Sequence, residues 1–446
     1  MIRAAVIDNG LSWIGACYPA NAAIDFARLP ARSAHASDLH QYDWVVVPNG
    51  SDHVALWRAR AAVSSVLERG GVLTCGDGWF TDWVPGNRWI HDNSQPTALV
   101  RYRIRSDRHG LLRDIDLDDF NFRDGISGWW ACGYIEAAPG AEVLLEDTWG
   151  RPVLVLDEHS TPGKMLLSAS GPLAENHGGN AGIDRFWQRA LQFLAGTRPL
   201  TAPSMIPELP AEDATQQLPN ESASTIGLVF NGVWSHWAFA TAPKYRPCYR
   251  LLYVHELDWA AISTLDALVI PFQSDLNVLL TLQPLFERFL DGGKKIAMFG
   301  DSGASWPGAR WEHRPVDNAW WRKDPTRPPI TATDRTHPLY GQLADRHCGW
   351  HCHGAFTSLP SAARVIQHNA AGEAITWEVQ RGPGTLLVST KDPIVEHGVQ
   401  QIRHLDHYND ALTQWLCNTR PAGPFTVERR WYAVRNFRPS PAPNAA

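Results

Sequence analysis

Four residues in the first half of the chain carry side chains that could work together: Cys75 and Asp77 in "TCGDG" (74–78), and Glu175 and His177 in "ENHG" (175–178). A thiol with an imidazole and a carboxylate is the inventory of a nucleophile, its base and an orienting group. Without the thiol, Asp77, Glu175 and His177 remain a general acid/base set. The second half repeats part of this, with Asp301 in "FGDSG" (299–303) and Glu396 and His397 in "EHG" (396–398), but its turn holds no cysteine. Each residue also has a plain structural reading. Cys75 is the kind of small apolar side chain that ends a buried strand, and Asp77 or Asp301 can cap a following helix.

A nonapeptide occurs nearly twice, "WVPGNRWIH" (83–91) and "SWPGARWEH" (305–313). It offers Arg88, Trp89 and His91, with Arg310, Trp311 and His313 as counterparts. Indole can stack on a sugar or another ring while Arg or His holds a polar edge. The same residues can instead form a Pro-Gly turn with Trp packed beneath it. Residues 348–353, "CGWHCH", contain Cys348, His351, Cys352 and His353. Their counterpart "SGWWAC" lacks most of these ligand types, and no H-x-H or H-E-x-x-H spacing supports a metal at Glu175/His177 or Glu396/His397, so neither a metal nor a cofactor is expected.

These segments belong to a longer series. "VIDNG" (6–10) pairs with "LVFNG" (228–232), "YDWVVVPNGSD" (42–52) with "LDALVIPFQSD" (265–275), and "LERGGVLTCGDG" (67–78) with "LDGGKKIAMFGDS" (290–302). "SGWWACG" (127–133) then pairs with "CGWHCHG" (348–354), and "PGKMLLSASGPLAENHG" (162–178) with "PGTLLVSTKDPIVEHG" (383–398). Ordered matches at one spacing indicate a tandem duplication. The expected domains are 1–200 and 223–420, separated by a Pro-, Ser- and Gln-rich linker at 201–222 and followed by a Pro-rich extension at 421–446. Within each copy, short β-branched apolar runs alternate with segments of helical spacing that end in Gly-Gly. That succession predicts βαβ units and an open, mostly parallel sheet, so each copy is expected to be an α/β, flavodoxin-like domain.

At this level the chain resembles the class I glutamine amidotransferase-like superfamily, in its ThuA-like (trehalose-utilisation-like) branch. The resemblance rests on the polar turn after the first strand, the small-residue turn "TCGDG" and the late "ENHG" or "EHG". It implies a site at the carboxyl edge of each sheet. In the amidotransferase elbow G-x-C-x-G, however, the nucleophile position matches Gly76 rather than Cys75, and the family's His-x-Glu order is absent. True glutaminase activity is therefore not expected. The reading is a protein that binds a small polar, carbohydrate-like metabolite, with hydrolytic or acid/base chemistry through Asp77, Glu175 and His177. The alternatives are a Cys75-dependent amidase or peptidase-like hydrolase, and a non-catalytic scaffold within a larger assembly.

Bulk properties narrow the classes. The 446 residues carry a net charge of −6 with no basic cluster, which argues against nucleic acid. No apolar run approaches the roughly 18 residues of a membrane helix, and the N-terminus reads as a strand rather than a leader. A cytoplasmic protein without disulfides is expected. The 21 tryptophans and the C-terminal extension are candidate contacts for a homo-oligomer or a partner protein.

Overall fold

Asp8, Val47 and Cys75 end three neighbouring strands whose interiors are almost wholly buried, as β-branched and aliphatic runs in a sheet covered on both faces must be. The computed structural model describes residues 1–11, 14–34, 36–95, 99–123, 126–127, 132–169, 181–196, 224–301, 308–314, 320, 324, 326–341, 343–348, 352–400 and 403–424. The chain divides into two units, the break falling between Ala214 and Thr215.

The first unit contains strands β1 (Ile2–Asp8), β2 (Ile24–Pro30), β3 (Trp44–Val47), β4 (Val72–Cys75), β5 (Arg88–His91), β6 (Arg103–Ile104), β7 (Gly133–Glu136), β8 (Glu142–Glu146), β9 (Pro152–Asp157) and β10 (Lys164–Ser168). Its main sheet runs β2-β1-β3-β4-β10-β9-β8-β6. The strands from β2 to β10 are parallel, and those beyond β10 are antiparallel. Strands β5 and β7 form a separate antiparallel ribbon. Helix α1 (His53–Arg58) starts where Asp52 accepts hydrogen bonds from the amides of Val54 and Ala55. Helices α2 (Arg60–Glu68) and α3 (Ala181–Ala195) complete the frame, and Phe186, Ala190 and Leu194 of α3 enter the core with Val6, Trp44 and Leu166.

The second unit has β11 (Ile226–Phe230), α4 (Trp234–Thr241), β12 (Tyr249–Tyr253), β13 (Ala267–Ile270), α5 (Leu276–Thr281), α6 (Gln283–Asp291), β14 (Lys295–Phe299), β15 (Arg310–His313) and β16 (Ile330–Ala332). It continues with β17 (Gly354–Ser358), β18 (Arg364–Asn369), β19 (Ala374–Arg381), β20 (Gly384–Ser389), α7 (Pro393–Gln400) and α8 (Arg403–Cys417). Its sheet runs β12-β11-β13-β14-β20-β19-β17-β15, with β18 and β16 branching from β19. Again the first five strands are parallel and the rest antiparallel. Its own core joins Leu268, Met298 and Val388 of the sheet to Phe286 and Phe289 of α6.

In both sheets the parallel order places the first strand between the second and third. The chain therefore reverses direction across the sheet beside that first strand, and open α/β sheets bind ligands in the crevice at this reversal. The same devices shape the loop after the third strand. Asn9 donates to the Gly50 carbonyl at 2.9 Å, and Asn231 to the Gln273 carbonyl at 3.1 Å. Ser51 and Ser274 each close back on the carbonyl of the proline three residues earlier. Among the described residues, no helix is long and apolar enough to cross a membrane.

Candidate functional site

The carboxyl edge of the first sheet is filled by its own side chains. Asp77, 3% exposed, points back under the loop after β3, and its Oδ2 accepts from the amides of Gly50 and Ser51, both at 3.1 Å. His53 Nε2 lies 2.9 Å from the same oxygen. The indole of Trp83 donates to His53 Nδ1 at 3.1 Å, so Nδ1 is the acceptor and Nε2 carries the proton toward Asp77. Both partners of this His–Asp pair are enclosed, at 0% and 1% side-chain exposure. Asp77 is thus neither a helix cap nor an open carboxylate; it pins the elbow to the neighbouring loop. Cys75 is fully buried in β4, and its thiol faces the carbonyl of Asp77 at 3.6 Å. Glu175 and His177 lie outside the described residues, as do His351, the expected linker 201–222 and residues 425–446 of the extension.

The second sheet's edge is arranged differently. Position 276, matching His53, is Leu, so Asp301 has no histidine from that loop. The histidine comes instead from the segment before β17. Cys352 bridges Lys391 in antiparallel fashion, and this sets His353 Nε2 2.8 Å from Asp392 Oδ2. Asp392 is buried, whereas the His353 side chain is 32% exposed. Burial opposes charging of His353, but Asp392, and more distantly Glu396 and Asp301, outweigh it and raise its pKa above the usual histidine value. Phe272 stacks on the imidazole with centroids 4.6 Å apart. Its carbonyl accepts at 2.7 Å from His236, whose burial pushes its pKa down to about 4 and keeps it neutral. Glu396 is half-buried at the N-terminal part of α7.

His397, its neighbour in sequence, faces the other way. It lies 2.9 Å from Asp406 of α8, with both side chains at most 1% exposed, and Tyr245 donates to the same carboxylate oxygen at 3.1 Å. A Cβ on Gly398 would lie 2.0 Å from the Ser235 carbonyl, so this glycine lets α7 approach α4. Of "EHG", then, only Glu396 belongs to the edge. His397 is corrected from a ligand contact to a buried tie between helices, because one residue of helical rotation turns it toward α8.

The elbow of the second unit holds a glycine with no room for a side chain. Gly300 has φ +67, and a Cβ there would sit 2.4 Å from Phe272. The last four residues of each nonapeptide form the strands β5 and β15. Trp89, 4% exposed, lies against two glycines: a Cβ on Gly78 or Gly133 would fall 2.6 Å or 2.8 Å from its ring. Trp311 covers Gly354 in the same way, but it is only half-buried and donates to Thr390 Oγ1 at 2.9 Å. That puts a half-buried indole against Gly354, the residue next in sequence to His353. Arg88 and Arg310 point outward, 63% and 74% exposed, with Glu136 and Glu312 among their acidic neighbours. His91 is half-buried against Asn93, and His313 is exposed.

Four residues of this edge are hard to find from the sequence. Asp392 sits in "TKDP", 39 positions from His353, and only the Cys352–Lys391 bridge joins them. Phe272 and Gln273 leave one trace, since "PFQSD" replaces the Asn-Gly of "PNGSD". His353 is visible only as part of the Cys/His cluster. Within that cluster, Cys348 and Cys352 face the carbonyls of Ala344 and Gly354, and His353 is engaged by Asp392. Among the described residues no group of three or more His, Cys, Asp or Glu is placed to hold a metal.

No family model matches the chain, and no curated protein does. Among solved structures, a cytoplasmic protein from Salmonella typhimurium is similar at 14% identity over 43% of this chain and 98% of its own, with a TM-score of 0.31. A protein from Thermoplasma acidophilum, provisionally assigned as part of a GMP synthase, is similar at 14% identity over 44% and 97%, with a TM-score of 0.30. A cold-adapted β-galactosidase from Rahnella sp. R3 is similar at 9% identity over 86% of this chain and 52% of its own, with a TM-score of 0.31. Likenesses of this strength carry no argument, and the α/β assignment stands on the strand order and pairing themselves.

Proposed function

We propose that the protein is a tandem duplication of an amidotransferase-like α/β domain in which the second copy binds a small neutral polyhydroxyl ligand, sugar-like in its chemistry, and the first copy serves as scaffold. The observation that carries this reading is the asymmetry of the two His–Asp pairs. The side chains of His53 and Asp77 are enclosed, at 0% and 1% exposure, whereas the His353 side chain paired with Asp392 is 32% exposed. Carboxylates beside an imidazolium offer paired acceptors and a donor to hydroxyl groups and repel anions. Trp311 supplies an apolar face for a sugar ring.

If the second copy also catalyses, His353 is its acid/base. Asp392 lies against Nε2 and stabilises the charged ring. The leaving oxygen of a cleaved C–O bond would take a proton from the imidazolium, and the water whose oxygen bonds to that carbon would pass a proton to the imidazole. The buried thiol of Cys75 and the glycine at 300 argue against an amidase at either elbow. The test is saturation-transfer NMR and calorimetry with D-glucose, D-galactose and D-mannose, and with glucose 6-phosphate as the anionic control. The wild type is expected to bind at least one neutral hexose at millimolar concentration and to reject the phosphate. His353→Gln should weaken binding at least tenfold. Undiminished binding by that variant would sink the reading.

A further inference from the structure

We propose that Gln273 is a specificity-determining residue of the second copy, its side-chain amide donating to an acceptor oxygen of the ligand; this rests on the reading of the His353 edge as a ligand site. Gln273 follows β13, in the loop facing the end of β11 where the sheet order reverses, the place an open α/β sheet leaves for a ligand. It is next to Phe272, whose ring lies on His353.

Its backbone is held at φ +64. The other described non-glycine residues with positive φ are Asp114 and Asn418, types whose short polar side chains tolerate that region; glutamine has no such compensation. The first unit solves the same turn with Gly50, at φ +79 and with the same asparagine bond to its carbonyl. A glycine would therefore serve the turn, yet a long amide stands there at a cost in strain. Strain of this kind persists where the side chain is used.

The side chain is itself fixed. Ser235 donates to Oε1 at 3.3 Å, and the residue is 7% exposed. Among the described residues nothing accepts from Nε2, and that atom is not one of the fully enclosed polar atoms. A buried stem with a fixed carbonyl end thus presents an amide N–H₂ at the edge. Asp301, Asp392 and Glu396 supply only acceptors there, so Gln273 adds a neutral donor for a ring oxygen or hydroxyl oxygen. It would favour sugars, which carry acceptors, over polyamines, which carry only donors when charged.

The test uses the full chain with D-glucose, D-galactose, D-mannose and putrescine as probes, in the wild type, Gln273→Gly and Gln273→Glu. Both variants are expected to lose at least tenfold in hexose affinity, and Gln273→Glu to gain affinity for putrescine. Gln273→Gly should keep a thermal midpoint equal to or above that of the wild type, because glycine takes the turn without strain. Hexose binding unchanged in Gln273→Gly would overturn the role of Gln273 and leave the site standing. A binding loss accompanied by a midpoint several degrees lower would mark the residue as structural and also overturn it. A wild type that binds no hexose would overturn the site and this role together.

Discussion

At the scale of residues, the two units use one chemical pair in opposite ways. Asp77 is engaged by His53 and by the Gly50 and Ser51 amides just before it in the chain, and this oxygen has nothing left over for a ligand. Asp392 instead charges a histidine that reaches solvent. Because His353 has a folded pKa above its unfolded value, its contribution to stability is complete below the unfolded pKa and disappears as pH rises through the folded one. His353→Gln should therefore cost on the order of 1 kcal/mol in urea unfolding at pH 5 and little at pH 9. In NMR, Asp392→Asn should lower the His353 titration midpoint; an unmoved midpoint would separate the two residues.

Lys391 has the opposite sign. It is buried against Tyr340 and Tyr408 with the Cys348 carbonyl at 2.9 Å, and burial lowers its pKa to about 7 against weak opposition from Cys348 and Cys352. The unfolded chain keeps that proton up to the usual lysine range, so folding is penalised below it and the penalty is full at and below about pH 7. Relative to Lys391→Met, the wild type should gain a few kcal/mol between pH 7 and 10. A flat difference across that range would place a counter-charge on Lys391.

At the scale of elements, each Trp strand is seated on glycine. His91 pairs with Gly133 and His313 with Gly354, and the indole two residues before each histidine covers the glycine opposite. A Cβ on Gly354 would stand 2.4 Å from the Glu312 carbonyl and 2.5 Å from Trp311. Gly354→Ala should cost about 1–3 kcal/mol and weaken hexose binding, because residue 353 is displaced with the strand. Denaturant unfolding and calorimetry on the same sample check both; an unperturbed variant would show that the Trp strand does not hold the site in place. The nonapeptide thus staples a strand in both units, and only Trp311 retains an open face.

At the scale of the whole molecule, each unit has its own sheet and its own core. Fragments 1–200 and 223–420 should each unfold cooperatively, as units with separate cores do. The second fragment alone should retain hexose binding. Binding recovered only by the first fragment would reverse the assignment of roles.

The apolar runs, the Gly-Gly helix ends and the spaced matches determined the α/β class and the division into two sheets, because strand and helix periodicity are local properties. Asp301, Glu396 and Trp311 each stand in a short sequence motif, "FGDSG", "EHG" and the repeated nonapeptide. Tertiary structure decided the rest. Which of two adjacent residues in "EHG" faces the edge depends on how α7 lies against α8. That Asp77 closes onto His53 depends on how the loop after the third strand lies over the elbow. His353 and Asp392 became a pair only through one antiparallel bridge between segments distant in sequence, and no periodicity records such a bridge. The backbone of Gln273 is strained only because the turn that Gly50 makes freely is imposed on it by Asn231 and the sheet.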